Sequence, residues 1–330
     1  MKKKLNIMHI ILSKKYSGSE KYVCDLVKYQ NKIYNISIIT SNKNFYFNKL
    51  LTKKVKKIEI SDYFKKFQIN KIIKNLKPDI IHSHLGDATR LLNKSNKYKI
   101  ISTLHMNYKH RYYKNCDAII VSNKTQFSQI SKIFKGKIFK NYLWINLKKI
   151  SQNKNIIKKR LNIPLKNKVF GSIGRFHPQK GFDIILNCFK RANLKNTTLL
   201  LIGNDHNEYA HKIKGYKNII LLGHVANVSN YYNIFDIAIF ASRWETFGFS
   251  LVESMKFKLP IISSIHIGNK DWIKKFNIFV INLKNEKDIE RKIISLSKKK
   301  LKKNKYNLKM FDYEKNCKKI NNIYNEILKD

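Results

Sequence analysis

Two glutamates eight residues apart, Glu245 and Glu253, stand in the stretch 236–264, DIAIFASRWETFGFSLVESMKFKLPIISS. The apolar run that opens it reads as a buried strand ending at Ser242. A polar loop with Glu245 and Gly248 follows, and the pattern from Phe249 onward predicts a helix holding Glu253 in its early turns. In an open α/β sheet such a loop lies beyond the carboxyl end of its strand, where ligands bind. The first helical amides, near Phe249, Ser250 and Leu251, would lack intrahelical acceptors and could take a diphosphate. Glu253 could accept hydrogen bonds from ribose hydroxyls, with Glu245 nearer a sugar. For an isolated pair the plainer alternative is a solvated loop carboxylate and one that complements the helix dipole.

Around these residues, short Ile- and Val-rich runs alternate with amphipathic stretches, the pattern of parallel strands joined by crossover helices. The runs lie at 5–12, 35–40, 79–84, 99–105 and 117–122, then at 168–174, 197–203, 217–223, 236–242 and 259–264. A polar, strand-poor stretch at 148–168 separates the two series. The expectation is therefore an α/β protein of two doubly wound domains, 1–147 and 148–330, with the site in the crevice between them. The apolar positions Ile320, Ile323 and Ile327 give the last segment helical periodicity, suited to covering a sheet or crossing back between domains.

Composition sets bounds on function. The chain has 330 residues, 43% hydrophobic and 12% aromatic, enough apolar material for two cores. With 68 Lys and Arg against 21 Asp and Glu, the net charge is +47. Such a field attracts anions: nucleic acid, acidic lipid or phosphorylated substrate. A Lys-, Asn- and Ile-rich coding bias accounts for the same charge equally well. Cys24, Cys116, Cys188 and Cys317 lie far apart, which suggests neither a zinc site nor a disulfide framework, and points to a reducing, cytoplasmic setting. The opening MKKKLNIMHIIL imitates a signal peptide, but Asn6 and His9 break it and it reads as a first strand.

Glu245, Phe247, Gly248, Glu253 and Pro260, after a D-x5-S strand, resemble the E-x7-E signature of retaining GT-B glycosyltransferases of family 4. Residues 171–183, GSIGRFHPQKGFD, resemble that family's G-R-x4-K-G segment. The resemblance implies that Arg175 and Lys180 clamp the donor pyrophosphate, the first by a planar fork and the second as a point charge. Ser17, Gly18, Ser19 and Glu20 resemble its G-G-x-E loop, implying backbone approach to the donor at Gly18, with Ser17 where glycine is usual. The segments 79–84 and 102–107 resemble its paired-His strand end and its T-x-H turn. From these, His105 is the residue implied to touch both sugar and acceptor, while His82 and His84 are read as structural. Residues 199–207 and 221–232 resemble segments near the nucleotide, Gly203 and Gly223 being read as turn glycines.

The resemblance implies two Rossmann-like domains facing across a cleft. It also implies retaining, metal-independent transfer from a nucleotide sugar, with UDP as the expected carrier, and no cofactor. The expected acceptor is a glycan or lipid-linked species of lipopolysaccharide or surface polysaccharide. The basic, aromatic stretches 45–57 and 105–115 would suit an anionic membrane surface, and no nucleic-acid partner is expected. Rival readings are an epimerase or hydrolase of sugar nucleotides, or a basic nucleic-acid-binding protein, for which no zinc ligands, aromatic RNA-binding signature or heptads are found.

Overall fold

The structure is a computed structural model describing residues 4–52, 54–147, 150, 152–204 and 207–329. The chain divides into two compact units, one of residues 1–146 with 310–330 and one of residues 147–309.

In the first unit seven parallel strands are ordered β3-β2-β1-β4-β5-β6-β7: β1 Asn6–Ile11, β2 Asn35–Ser41, β3 Lys56–Ile60, β4 Ile80–His84, β5 Lys99–Thr103, β6 Ala118–Val121 and β7 Lys137–Lys140. The sheet runs outward from β1 through β2 to β3, then resumes on the other side of β1 with β4. That reversal between β1 and β4 is the switch point of a doubly wound sheet. Met8, Ile10, Ile39, Ile81, Ile100 and Ile119 form its core with Ile69 and Ile73 of the helix Lys65–Leu76. The last helix, Tyr313–Ile327, belongs to this unit, whereas the sequence reading grouped the terminal helices with the second domain. Burial accounts for the difference: Ile320 and Tyr324 are fully enclosed, and Tyr324 Oη lies 2.6 Å from His82 Nδ1 on β4.

The second unit has six parallel strands ordered β10-β9-β8-β11-β12-β13: β8 Lys168–Ile173, β9 Thr197–Ile202, β10 Ile219–Leu222, β11 Ile237–Phe240, β12 Ile261–Ser264 and β13 Phe279–Ile281. Its reversal falls between β8 and β11. The helix Phe182–Ala192 buries Ile185, Leu186 and Phe189 against Phe170, Leu199 and Ile237. The proposed boundary at Lys148 lies outside the described residues, as do Asp205 and His206 of the 199–207 segment.

A recurring aspartate fixes strand starts. Asp79, Asp117 and Asp236 each precede a strand, and each accepts the backbone N–H of a residue on the neighbouring strand: Asn6 at 2.7 Å, Ile100 at 2.7 Å and Val169 at 2.8 Å. A carboxylate there satisfies an edge donor that would otherwise end the ladder unpaired. No helix among the described residues is long and apolar enough to cross a membrane.

Candidate functional site

β8 and β11 are paired side by side, Ile237 opposite Phe170 and Ala238 opposite Gly171. The loops leaving their carboxyl ends, 174–181 and 241–248, therefore emerge together at the switch point of the second sheet. They are stitched to each other: Arg243 N–H donates to Gln179 O at 2.7 Å, and Arg243 Nη1 to Pro178 O at 2.6 Å. The same guanidinium holds Asp183 through both nitrogens at 2.8 and 2.6 Å. Gly181 adopts φ +67°, and a Cβ on it would lie 2.0 Å from Ala241 O. Only glycine admits both that conformation and that approach. Gly181→Ala is expected to destabilise the fold by about 2–4 kcal/mol through αL strain and overpacking, read as a fall in the urea midpoint at unchanged slope.

The stitching places Lys180 against Glu245. Lys180 Nζ donates to Glu245 Oε1 at 2.6 Å, and Ser242 Oγ donates to the same oxygen at 3.0 Å. The Glu245 carbonyl accepts Gly268 N–H at 2.9 Å, so the loop is anchored at backbone and side chain alike. Burial pushes the Glu245 carboxyl upward, but the charge of Lys180, with His266 and Ser242, outweighs it and leaves the group below its ordinary value. His266 itself is taken down to about 4, its burial outweighing the attraction of Glu245.

Beyond the loop the helix Phe249–Lys256 begins where its sequence pattern predicts. Among the described residues the N–H groups of Phe249 and Ser250 have no acceptor, whereas Leu251 N–H is already donated to Gly248 O at 3.1 Å. Leu251 thus drops out of the expected trio of open amides, because the first turn closes one residue early. Glu253 is buried, with Oε2 accepting Tyr232 Oη at 2.8 Å; the same hydroxyl lies 3.2 Å from Ser250 O. Burial first, and then the Glu253 charge, drive the Tyr232 phenol well above its ordinary range. Arg175, just past β8, is exposed and makes no ion pair or hydrogen bond among the described residues. The seven second-unit residues singled out in the sequence thus gather on two adjacent loops and the helix that follows. Ser242, read in the sequence only as a strand end, completes the group with Tyr232 and His266, which escaped sequence reading because a lone tyrosine or histidine has no spacing signal of its own.

In the first unit Gly18 opens the helix Gly18–Gln30. Glu20 turns back to accept Ser17 N–H at 2.7 Å and Ser17 Oγ at 2.6 Å, with Ser13 Oγ donating to its other oxygen. Glu20 is a cap that fixes the loop, so what remains for a ligand at Gly18 is backbone. His105 follows β5, nearly buried, with Nε2 3.3 Å from His84 Nδ1 and its ring edge-on to Tyr22 at 5.0 Å. Burial takes its imidazole down to about 3.

His9, His82 and His84 lie deep in the sheet with ligating nitrogens within 4.8 Å of one another, close enough to hold a metal ion. Their ring nitrogens are already matched, however. His9 meets Gln30 Oε1 and His84, and His82 meets Tyr324 and Thr103 at 2.6 and 2.8 Å. Such a set is satisfied by hydrogen bonds alone.

Residues 153–313 match the family model described as glycosyl transferases group 1. An uncharacterized glycosyltransferase of Methanocaldococcus jannaschii is 30% identical over 237 residues, 60% of this chain and 58% of the relative. An uncharacterized 41.2 kDa protein in the cps region of Klebsiella pneumoniae is 30% identical over 234 residues, 59% of this chain and 63% of the relative. The chain thus spans about three-fifths of the length of these curated relatives. Among solved structures, Anabaena HepE in complex with UDP and glucose superposes with a TM-score of 0.82, covering 98% of this chain and 100% of that one, at 15% identity. That likeness is one of fold.

Proposed function

We propose that this chain, whose residues 153–313 match the model of glycosyl transferases group 1 and whose fold is that of HepE, moves a sugar, with retention and without a metal, from a nucleotide sugar to a glycan or lipid-linked acceptor of a bacterial surface polysaccharide. UDP is the carrier we favour; HepE is the like-folded protein seen with UDP and glucose, and the Klebsiella relative lies in a cps region. The observation that carries the reading is the convergence of Arg175, Lys180, Glu245, Glu253 and two open amides at one pair of adjoining strand ends.

As the bond from the anomeric carbon to the diphosphate oxygen lengthens, negative charge gathers on the departing nucleoside diphosphate. Arg175 would take it with a planar fork, Lys180 as a point charge, and Phe249 and Ser250 through N–H groups at the helix start. Lys180 would share its three donors between Glu245 and the diphosphate, so donor entry lengthens the pair without exposing Glu245. Glu245 would orient the sugar rather than attack it. Attack by the acceptor hydroxyl on the face that the diphosphate leaves preserves configuration, and a donor phosphate oxygen accepts the hydroxyl proton. Glu253, steadied by Tyr232, would grip the ribose; Gly18 backbone would approach the donor, and His105 would contact sugar and acceptor.

A thermal-shift panel of UDP-, GDP- and ADP-sugars tests the donor. At a hundredfold excess over Kd the matching nucleotide is expected to raise Tm by about 5–10 °C. Silence across the panel alongside tight, salt-sensitive DNA binding would sink the reading. Nucleotide release with no acceptor present would replace transfer by hydrolysis.

We also assign the protein to the inner surface of the cytoplasmic membrane. Phe45, Tyr63, Phe64 and Phe67 are 79%, 77%, 83% and 70% exposed. Asp62 draws their two segments together by pairing Lys43 at 2.7 Å and Lys65 at 2.7 Å. Aromatic side chains among lysines suit the interface of an anionic bilayer. Vesicles containing anionic lipid should sediment the protein at low salt and less so at high salt; absence of binding in both conditions removes this assignment.

A further inference from the structure

The loop that follows β12 holds one imidazole firmly in place. Asn269, fully buried, accepts His266 N–H through Oδ1 at 2.9 Å and donates through Nδ2 to Ser264 O at 3.0 Å. The His266 carbonyl in turn accepts Asn269 N–H at 3.1 Å and Lys270 N–H at 3.0 Å. Ser264 Oγ donates to Ser242 O at 2.6 Å, and Gly268 N–H to Glu245 O at 2.9 Å, so this loop is bound to the one that carries Glu245. A Cβ on Gly268 would lie 2.3 Å from Thr246 C, so glycine lets the two backbones meet.

Within that frame His266 is 7% exposed, and its Nδ1 is buried with no hydrogen-bond partner among the described residues. Burial keeps the ring neutral, taking it down to about 4. The Glu245 carbonyl faces the ring, but a carbonyl answers only an N–H, and a neutral imidazole has one. Whichever nitrogen carries the proton, one nitrogen is left unpaired. An unmatched buried polar atom costs about 1–3 kcal/mol, and a leucine would fill similar space without that cost.

The surroundings indicate what could match it. Glu245 and Lys180 both act electrostatically on the ring. Glu245 Oε1 takes Lys180 and Ser242, and no hydrogen bond among the described residues reaches Oε2. Gly248, with φ +89°, also stands beside the ring: a Cβ there would lie 3.3 Å from His266 Cε1 and 3.4 Å from Nε2. The imidazole therefore adjoins both the Lys180–Glu245 pair and the start of the helix Phe249–Lys256. A phosphate contact would favour a cationic ring, whereas a neutral one, able to donate or to accept, suits a hydroxyl.

We propose that His266 is a specificity-determining contact for the transferred sugar, taking through a ring nitrogen a hydroxyl next to the one held by Glu245. The proposal deepens the donor reading made above and rests on it. It gives the unpaired imidazole a task that packing alone would not require.

The test is calorimetric titration of the full chain with UDP, UDP-glucose, UDP-galactose and UDP-N-acetylglucosamine, together with urea midpoints, in wild type, His266→Leu, His266→Gln and His266→Asn. His266→Leu should bind UDP within about twofold of wild type and should bind the UDP-sugar that wild type holds tightest about tenfold more weakly. Its urea midpoint should be no lower, since an unmatched polar atom has been removed. Glutamine places a polar atom about as far out as Nε2, and asparagine about as far as Nδ1. One of these two should keep most of the wild-type affinity for that UDP-sugar and the other should lose it, a contrast that carries the test should His266→Leu fail to fold. Equal losses for UDP and UDP-sugar in His266→Leu, or no loss for either, overturn the contact, as do glutamine and asparagine variants that behave alike. A midpoint that falls while UDP-sugar affinity holds makes the ring a packing residue and overturns it too. Wild type that binds neither UDP nor any of the three UDP-sugars sinks the donor reading itself, and this proposal with it.

Discussion

Lys180→Met lowers kcat/KM for sugar transfer by about 10²–10³-fold, the size of effect that follows removal of one pre-positioned group from a developing anion. Methionine keeps much of the stem, which runs beside Gly174, so the loss falls on charge rather than on volume. The substitution also strips Glu245 of the largest attraction that counters its burial. Its carboxyl should then climb above the ordinary carboxylate range, and the variant should show a new ionisation in its pH–rate profile. Glu245→Gln in the same background should remove that ionisation and recover none of the lost rate. The two effects are not additive, because the residues share one bond of 2.6 Å. Unchanged transfer by Lys180→Met, in protein that still shows a donor-induced thermal shift, would overturn the role given to this ammonium.

The second large effect is acid lability of the first unit. Four of its histidines, His9, His82, His84 and His105, are buried, and burial holds each below the ordinary imidazole value. A group whose native pKa is depressed binds fewer protons folded than unfolded. Its contribution is therefore complete above about pH 6.5 and drains away as the pH falls toward the native values, about 4 for His9 and about 3 for His105. Four such rings together steepen the loss to about 5 kcal/mol per pH unit near pH 5. That rivals the whole stability of an ordinary domain, so urea midpoints should collapse between pH 6.5 and pH 4.5. The second unit contributes only His266 of this kind among the described residues and should outlast the first. A midpoint flat across that window would refute the buried, neutral state of the cluster.

The strands that sequence reading found and those it missed differ in one respect. β1, β2, β4, β5, β6 and β8 through β12 carry near-continuous apolar runs, because all but β10 lie inside a sheet with helices on both faces. β3, β7 and β13 went unseen, and each is an edge strand. KKIEI and KIFK leave their lysines in solvent, so the apolar run shrinks to one or two residues and the signal with it. The turn glycine reading of Gly203 also needed coordinates: a Cβ there would lie 1.8 Å from Gly174 O, so the constraint is backbone meeting backbone between neighbouring loops. At the candidate site, Arg175, Lys180, Glu245 and Glu253 stood out because they fall in two spaced motifs. Tyr232, which steadies Glu253, is set by tertiary contact, and no interval along the chain announces that pairing; Ser242, three residues before Glu245, read only as the end of its strand. The seam between Leu251 and Gly248 is equally invisible, since the choice of a tight first turn is a matter of backbone angles.

Residues 310–330 lie at the far end of the chain and yet complete the first unit, where Asn321 and Tyr324 meet Gln30 and His82. During synthesis the ribosome therefore releases the intervening 147–309 body before the helix that completes the first unit has been made. For that interval Gln30 lacks Asn321 and His82 lacks Tyr324, and the surface that the last helix covers is exposed to chaperones and to premature association. Order of emergence and order of completion are opposite here: the half translated first is the half that finishes last.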